Sequence, residues 1–406
     1  MSDTLLGVEE FQTLSLAAGG QILLPNLNQL VWHVLNDAIF LFISLFLAPN
    51  IKEIHLLLNA SSAINRHTLL ASLPFRYPSL THINIADHCA INSNIISTTI
   101  CRWNELRYIT VGSLTADALR HVATLPLLEN LTLRSVLTMT VPIFLPSRDN
   151  HLFPSLRTLS VTAQKISSCL ALVEMMSSPR LYSVHFKIST PSTLSQRENL
   201  FKALHDHCNH HSLTSITMDS SGLQDQIHQT IHKEDLFKPL YVFSNLMFLD
   251  LRPDFGFYLS QEAVGEMVSA WPRIRTLIMK GHFLRQIPRL SLSGLALFVR
   301  HCAELQHLSI AFNASTPLPP TPDPQGFQSN ALTHLDVQFS PIVKPLWVAT
   351  FLSDIFPRLS TIECGDRYSD SKSKNNWLQA QQYISVLASI RSQERNRKKP
   401  ISPTSS

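Results

Sequence analysis

The best case for chemistry in this chain is the cluster His205-Asp-His-Cys-Asn-His-His211. Imidazole nitrogen and thiolate sulfur are the ligands zinc prefers, four of them at tetrahedral corners. The spacing nevertheless matches no closed four-ligand pattern. His205, His207 and Cys208 read as the end of a helix, where cationic His favours the helix dipole. Cys208 keeps an apolar helical interval from Leu204 and Phe201, and Cys302 keeps one from Val299 and Phe298. Two segments using Cys this way point to packing. The six cysteines are scattered without a C-x-x-C pair, which reads as reduced thiols.

Reaction motifs are missing as well. The chain has no phosphate-binding G-x-x-x-x-G-K-[ST], no G-x-G-x-x-G, no H-E-x-x-H and no G-x-S-x-G. Its 11 glycines are too few for phosphate-cradling loops in general. The expectation is therefore no catalytic residue, no cofactor and no metal, and a protein that works by binding.

The element that positions everything else is a short repeat, L-x-x-L-x-L, with other apolar residues substituting. It opens at Leu27, Ile51, Leu80, Leu106, Leu128, Leu156, Leu181, Leu213, Leu246, Ile274, Leu305, Leu332 and Leu359. The mean spacing is about 28 residues, within the ~20–29 of leucine-rich repeats. Each unit reads as a parallel strand whose first, fourth and sixth positions point into the core while the others face away. Parallel neighbours need crossovers, and the intervening segments have helical spacing. Ser260 caps one ahead of Val264, Met267, Val268 and Trp271; Ser195 and Glu198 read as a capping box for another. The fold expected is an α/β leucine-rich-repeat solenoid of about thirteen repeats, a horseshoe with strands on its concave face and helices on its convex face.

Its ends need covers. Residues 1–22 read as an N-terminal cap or remnant, 23–370 as the solenoid, 371–392 as a capping helix and 393–406 as a basic, polar tail. Trp377, Leu378, Ile384, Leu387 and Ile390 supply the capping helix with an apolar face. The Pro-rich stretch 313–330 reads as an exposed loop, with Thr316-Pro and Thr321-Pro as candidate phosphorylation dipeptides.

Composition narrows the partner. Charged residues make up 15% and net charge is +4, too mild for nucleic acid despite the run Arg391, Arg395, Arg397, Lys398 and Lys399. The most apolar run, Ala38–Ala48, is far short of the ~20 residues needed to span a bilayer. A cytoplasmic or nuclear monomer that binds an unidentified protein on its concave face is expected.

The concave positions include His55, His82, Tyr108, Arg134, His185, His307, His334, Asp336 and Glu363. The middle repeats carry the richest set: Lys187, Asp219, Phe248, Asp250, Arg252 and Lys280. An aromatic ringed by mixed charges is the composition of an interface hot spot, so these six are the partner-binding candidates.

The wording of the repeats resembles the F-box/leucine-rich-repeat proteins of mushroom-forming fungi. The resemblance is carried by Leu23-Leu-Pro-Asn-Leu-Asn-Gln-Leu-Val-Trp32, Ile43-Ser-Leu-Phe-Leu-Ala-Pro-Asn-Ile-Lys-Glu-Ile54, Leu125-Pro-Leu-Leu-Glu-Asn-Leu131, Leu200-Phe-Lys-Ala-Leu-His205, Ala270-Trp-Pro-Arg-Ile274 and Phe298-Val-Arg-His-Cys302. In that family an N-terminal F-box binds the Skp adaptor of a cullin-type ubiquitin ligase and the repeats present a substrate. The residues before Leu27 contain no version of the F-box, so the resemblance implies a binding solenoid that does not contact the adaptor itself. It also leaves open a ligase substrate receptor recruited another way, and helix-bearing repeats of this sort also serve as GTPase or hydrolase regulators.

Overall fold

The computed structural model describes residues 6–397 except 35, 59–63, 88–91, 137–151, 221–229, 232–233, 254–255, 282–286, 317–327 and 366–370. The strands are β1 (Gln29–Trp32), β2 (Glu53–Leu58), β3 (His82–Asp87), β4 (Tyr108–Val111), β5 (Asn130–Val136), β6 (Thr158–Ala163), β7 (Ser183–Ile188), β8 (Ser215–Asp219), β9 (Thr230–Ile231), β10 (Phe248–Arg252), β11 (Gly256–Phe257), β12 (Thr276–Met279), β13 (His307–Ser309), β14 (His334–Asp336) and β15 (Thr361–Glu363). Thirteen of them form one open sheet in chain order, and β9 pairs with β11 separately. Every resolved pairing is parallel, as the repeat requires. All thirteen apolar anchors lead into a strand of the large sheet.

The chain divides into two compact units. The first comprises residues 1–192 with 206–212 and contains β1 to β7; the second comprises 193–205 with 213–406 and contains β8 to β15. In the first, the middle anchors stand side by side: Ile54, Ile83, Ile109, Leu131, Leu159 and Val184 share one register row. In the second the same row is Ile216, Leu249, Leu277, Leu308, Leu335 and Ile362. These side chains face the crossovers and are buried, Ile362 excepted; the positions between them face the other side of the sheet, called the open face below.

Most crossovers are helical, and the sequence shows why. Ser260 accepts a hydrogen bond from the Ala263 N–H at 3.2 Å and starts the helix Gln261–Ala270, whose Val264, Met267 and Val268 are buried. The capping box at Ser195 and Glu198 is corrected. It lies two residues earlier, where Thr193 Oγ1 accepts from Gln196 N at 3.3 Å and Gln196 Oε1 accepts from Thr193 N at 3.0 Å. Glu198 instead meets Lys202 one turn on, at 3.1 Å. Ala38–Ala48 is not one helix but a short α-turn, Asp37–Phe40, running into a 3-10 segment, Leu41–Phe46.

A large side chain recurs three residues before the first anchor: Tyr77, Trp103, Phe153, Phe243, Trp271, Cys302 and Phe356, all buried. Its carbonyl accepts the anchor's N–H, as in Phe243 to Leu246 at 3.0 Å and Trp271 to Ile274 at 3.2 Å. Where it can donate, it bonds to the crossover of the preceding repeat: Trp103 Nε1 to Tyr77 O at 2.8 Å, Trp271 Nε1 to Leu240 O at 3.1 Å. Cys302 Sγ does the same toward Trp271 O at 3.8 Å.

The ends are covered. Helix Val8–Ala18 stops where Gly19 takes the left-handed conformation at φ 56°, which glycine adopts without a Cβ clash. Its Phe11 stacks on Phe42 and meets Trp32 edge-on, ring centroids 5.6 and 5.8 Å apart. The terminal helix spans Ser371–Arg397, running past the expected end at 392. Trp377, Ala380 and Ile384 face inward, whereas Leu378 and Ile390 are exposed, contrary to the apolar face read from sequence. Trp377, Ala380 and Ile384 fall on one stripe, and Leu378 and Ile390 each lie more than ~100° around the helix from its centre. Gln381 finishes the edge of β15: it accepts the Ile362 N–H and donates to Ser360 O at 2.9 Å, standing in for a further strand. The prolines 317–324 and the tail beyond Arg397 lie outside the described residues.

Candidate functional site

The six candidate residues divide between the two units. Lys187 ends β7 and belongs to the first unit; Asp219, Phe248, Asp250, Arg252 and Lys280 belong to the second. Within the second unit the parallel register sets Arg252 beside Asp219. Lys280 donates its backbone N–H to Leu251 O at 3.0 Å, one strand over from Arg252.

The structure changes what these residues are. Strand alternation placed Asp250 on a solvated surface, but it is 6% exposed and held by Arg252. Arg252 Nε lies 2.8 and 3.1 Å from the two carboxylate oxygens and Nη2 lies 2.9 Å from the second. That hydrogen-bonded pair, with Asp219 and Asp336 further off, raises the guanidinium pKa above its ordinary value against the opposing effect of burial. Lys280 does not join Arg252 as a second unpaired cation. Its Nζ donates to Asp336 Oδ2 at 3.1 Å, two strands across the sheet.

Asp336 is the centre that sequence reasoning did not select among its six. It is 5% exposed and accepts from Lys280, from Ser309 Oγ at 2.9 Å and from the Gln338 N–H at 2.9 Å. Gln338 sits at φ 53°, unusual for a residue with a side chain, and its Nε2 donates to Met279 O at 2.9 Å and Ser309 Oγ at 3.2 Å. Those bonds hold the turn that brings Asp336 and Lys280 together. The readable signal is Asp336-Val-Gln338, because an aspartate accepting the N–H two residues on makes an Asx-turn.

The open face of the second unit is thus a tied polar network around a half-buried aromatic. Phe248 shares a row with Thr276, His307 and His334. Asp219, Asp250, Asp336 and Glu363 outnumber Arg252 and Lys280, so the face is acidic. The arrangement fixes charges in place. Cys169 and Cys208 of the first unit and Cys302 of the second have thiols pushed up to about 12 by burial, which suits packing and not reaction. Among the described residues no group of His, Cys, Asp or Glu could hold a metal ion, the His205–His211 cluster included. No helix among them is long and apolar enough to cross a membrane.

His307 and His334 stack with ring centroids 5.9 Å apart and planes 5° apart. Burial, then the neighbouring His334, hold the His307 pKa below its ordinary 6.5, against Glu363, Asp336 and Asp250. The unfolded chain therefore takes up this proton at higher pH than the folded one. Stability from this ring is full above pH ~6.5, falls as pH drops through that value, and levels off below the folded pKa. His82, also depressed chiefly by burial, acts in the same direction. Urea midpoints are expected to fall between pH ~7 and ~5, and His307→Gln to flatten that slope in part. An unchanged slope in the variant would remove His307 as a cause.

Register, parallel pairing and buried anchor rows define the class: an open α/β solenoid of leucine-rich repeats. No protein-family description matches the sequence, and no curated protein resembles it. Among solved structures the chain is similar to one in the crystal structure of the Rad7 and Elc1 complex of yeast. Identity is 13% over 80% of this chain and 74% of that one, with a TM-score of 0.42. A likeness at that level leaves the sheet itself as the ground for the fold.

Proposed function

We propose that the chain is a non-enzymatic, protein-binding solenoid, of the kind used as substrate receptors, and that a protein partner docks on the open face of the second unit. The observation that carries this reading is the fixed network Asp250–Arg252 and Lys280–Asp336–Ser309–Gln338, with Phe248 two residues before Asp250 on the same strand. Side chains ordered before binding lose little entropy on docking, and a central aromatic with charged neighbours is the make-up of a hot spot. The excess of carboxylates favours a partner face with basic groups. Cytoplasm or nucleus is the compartment proposed, and contact with the Skp adaptor is not expected of the isolated chain.

Phe248 is the residue to change, because Arg252→Ala would leave the buried Asp250 carboxylate unpaired and confuse binding with stability. Against a partner recovered from the native cell, Phe248→Ala is expected to cost more than ~1 kcal/mol of affinity with the melting temperature nearly unchanged. Titration calorimetry decides it; equal affinity would place the partner elsewhere.

A further inference from the structure

We infer that the open face of β4 to β7, within the first unit, is a separate docking surface for an extended peptide segment carrying negative charge. It does not depend on the role given to the second unit. The strands themselves make the first point: Tyr108–Val111, Asn130–Val136, Thr158–Ala163 and Ser183–Ile188 contain no aspartate or glutamate. They do contain Arg134 and Lys187, both exposed. On the open face of the second unit Arg252 and Lys280 are each tied to a buried carboxylate; among the described residues neither Arg134 nor Lys187 has such a partner. Glu129, just before β5, is already shared by Arg107 at 3.2 Å and Arg157 at 3.7 Å.

The hydroxyls make the second point. Thr132, Ser160 and Thr162 are half-buried on this face, and among the described residues none of their side chains is hydrogen-bonded. Ser309, at the equivalent strand position of the second unit, is fully engaged. Hydroxyls left open by folding would be costly to cover with an apolar surface and are satisfied by one that brings acceptors. The third point is local geometry. The β5–β6 register shifts between Leu133 and Val136, so that Arg134 and Ser135 stand against Thr162. Such a bulge bends the strand and re-aims its side chain.

The spacing selects an extended peptide. Arg134 and Lys187 are two strands apart, ~10 Å at ~4.8 Å per step, and three residues of extended chain cover ~10 Å at ~3.3 Å each. Acidic groups three residues apart on a chain crossing the strands would meet both cations, with the intervening carbonyls over the hydroxyls. Two cations are too few for a nucleic-acid backbone, whose affinity grows with each phosphate neutralised. The negative groups are the carboxylates of aspartate or glutamate, with phosphate as the alternative the test separates.

The test pans a random peptide phage library against the immobilised full chain. Peptides with acidic residues three positions apart are expected. A labelled selected peptide should bind about tenfold or more weakly to the Arg134→Glu, Lys187→Glu double variant, and more weakly as salt is added. Lys202→Glu, on the crossover side, serves as the charge control and should bind as wild type. The double variant should melt as wild type does, since neither cation makes an ion pair among the described residues. Replacing the selected acids by phosphothreonine distinguishes a modified partner, which would bind more tightly, from an unmodified one, which would not; either supports the surface. Enrichment of basic or apolar peptides, no enrichment, unchanged affinity in the double variant, or tighter binding of a single-stranded RNA oligomer would overturn it.

Discussion

Leu249→Asp should unfold the second unit. Leu249 is 0% exposed, second in the anchor row that runs from Ile216 to Ile362, with Ile216 on one side and Leu277 on the other. A carboxylate there has no cation within its register row and must be desolvated or protonated, either of which costs several kcal/mol. Leu249→Ala removes only methyl groups and should cost ~2–5 kcal/mol. Circular dichroism with urea titration measures both. The alanine variant should keep a cooperative transition at lower urea and the aspartate variant should lose it. An aspartate variant that melts as wild type does would mean that Leu249 faces solvent, and the register of the whole sheet would fall with it.

The second large effect belongs to the terminal helix. Trp377 is 1% exposed, meets Phe312 edge-on at 5.8 Å between ring centroids and donates Nε1–H to Ser340 O at 2.7 Å. Trp377→Ala should cost ~3–5 kcal/mol through the cavity and the orphaned carbonyl. It should also loosen the helix that carries Gln381, baring the edge of β15 to other chains. A lower urea midpoint together with rising light scattering is expected. Trp377→Phe, which keeps most of the volume without the N–H, should fall between. Wild-type behaviour of the alanine variant would show that the helix does not seal the edge.

Much of this fold could be read from the residues because a leucine-rich repeat repeats its demands. Each strand needs buried residues at the same three positions, so Ile51-x-x-Ile54-x-Leu56 and Leu332-x-x-Leu335-x-Val337 identify themselves without reference to one another. Local signals were weaker. Thr193-x-x-Gln196 and Ser195-x-x-Glu198 both satisfy the capping-box pattern, and only the packing of Leu200, Phe201 and Leu204 chooses between them. The apolar side of the terminal helix was misread at Leu378 and Ile390 because that helix is apolar on two sides and only Trp377, Ala380 and Ile384 have a core to meet.

The candidate site was legible in composition but not in its bonding. Phe248, Asp250 and Arg252 alternate with Leu249 and Leu251 as a strand requires. Nothing in that alternation says that Arg252 folds back on Asp250. Lys280 and Asp336 are 56 residues apart in sequence, and only the stacking of repeats brings them to 3.1 Å.

The central claim is that a protein docks on the open face of the second unit. Amine-reactive crosslinking of the full chain with a partner recovered from the native cell, read by mass spectrometry, tests it most directly. Lys280, on the open face, is part-exposed; Lys202 and Lys238, on crossover segments, are comparably exposed and serve as internal controls. Crosslinks to the partner concentrated at Lys280 are the expected result. Crosslinks at Lys202 and Lys238 with Lys280 untouched would contradict it.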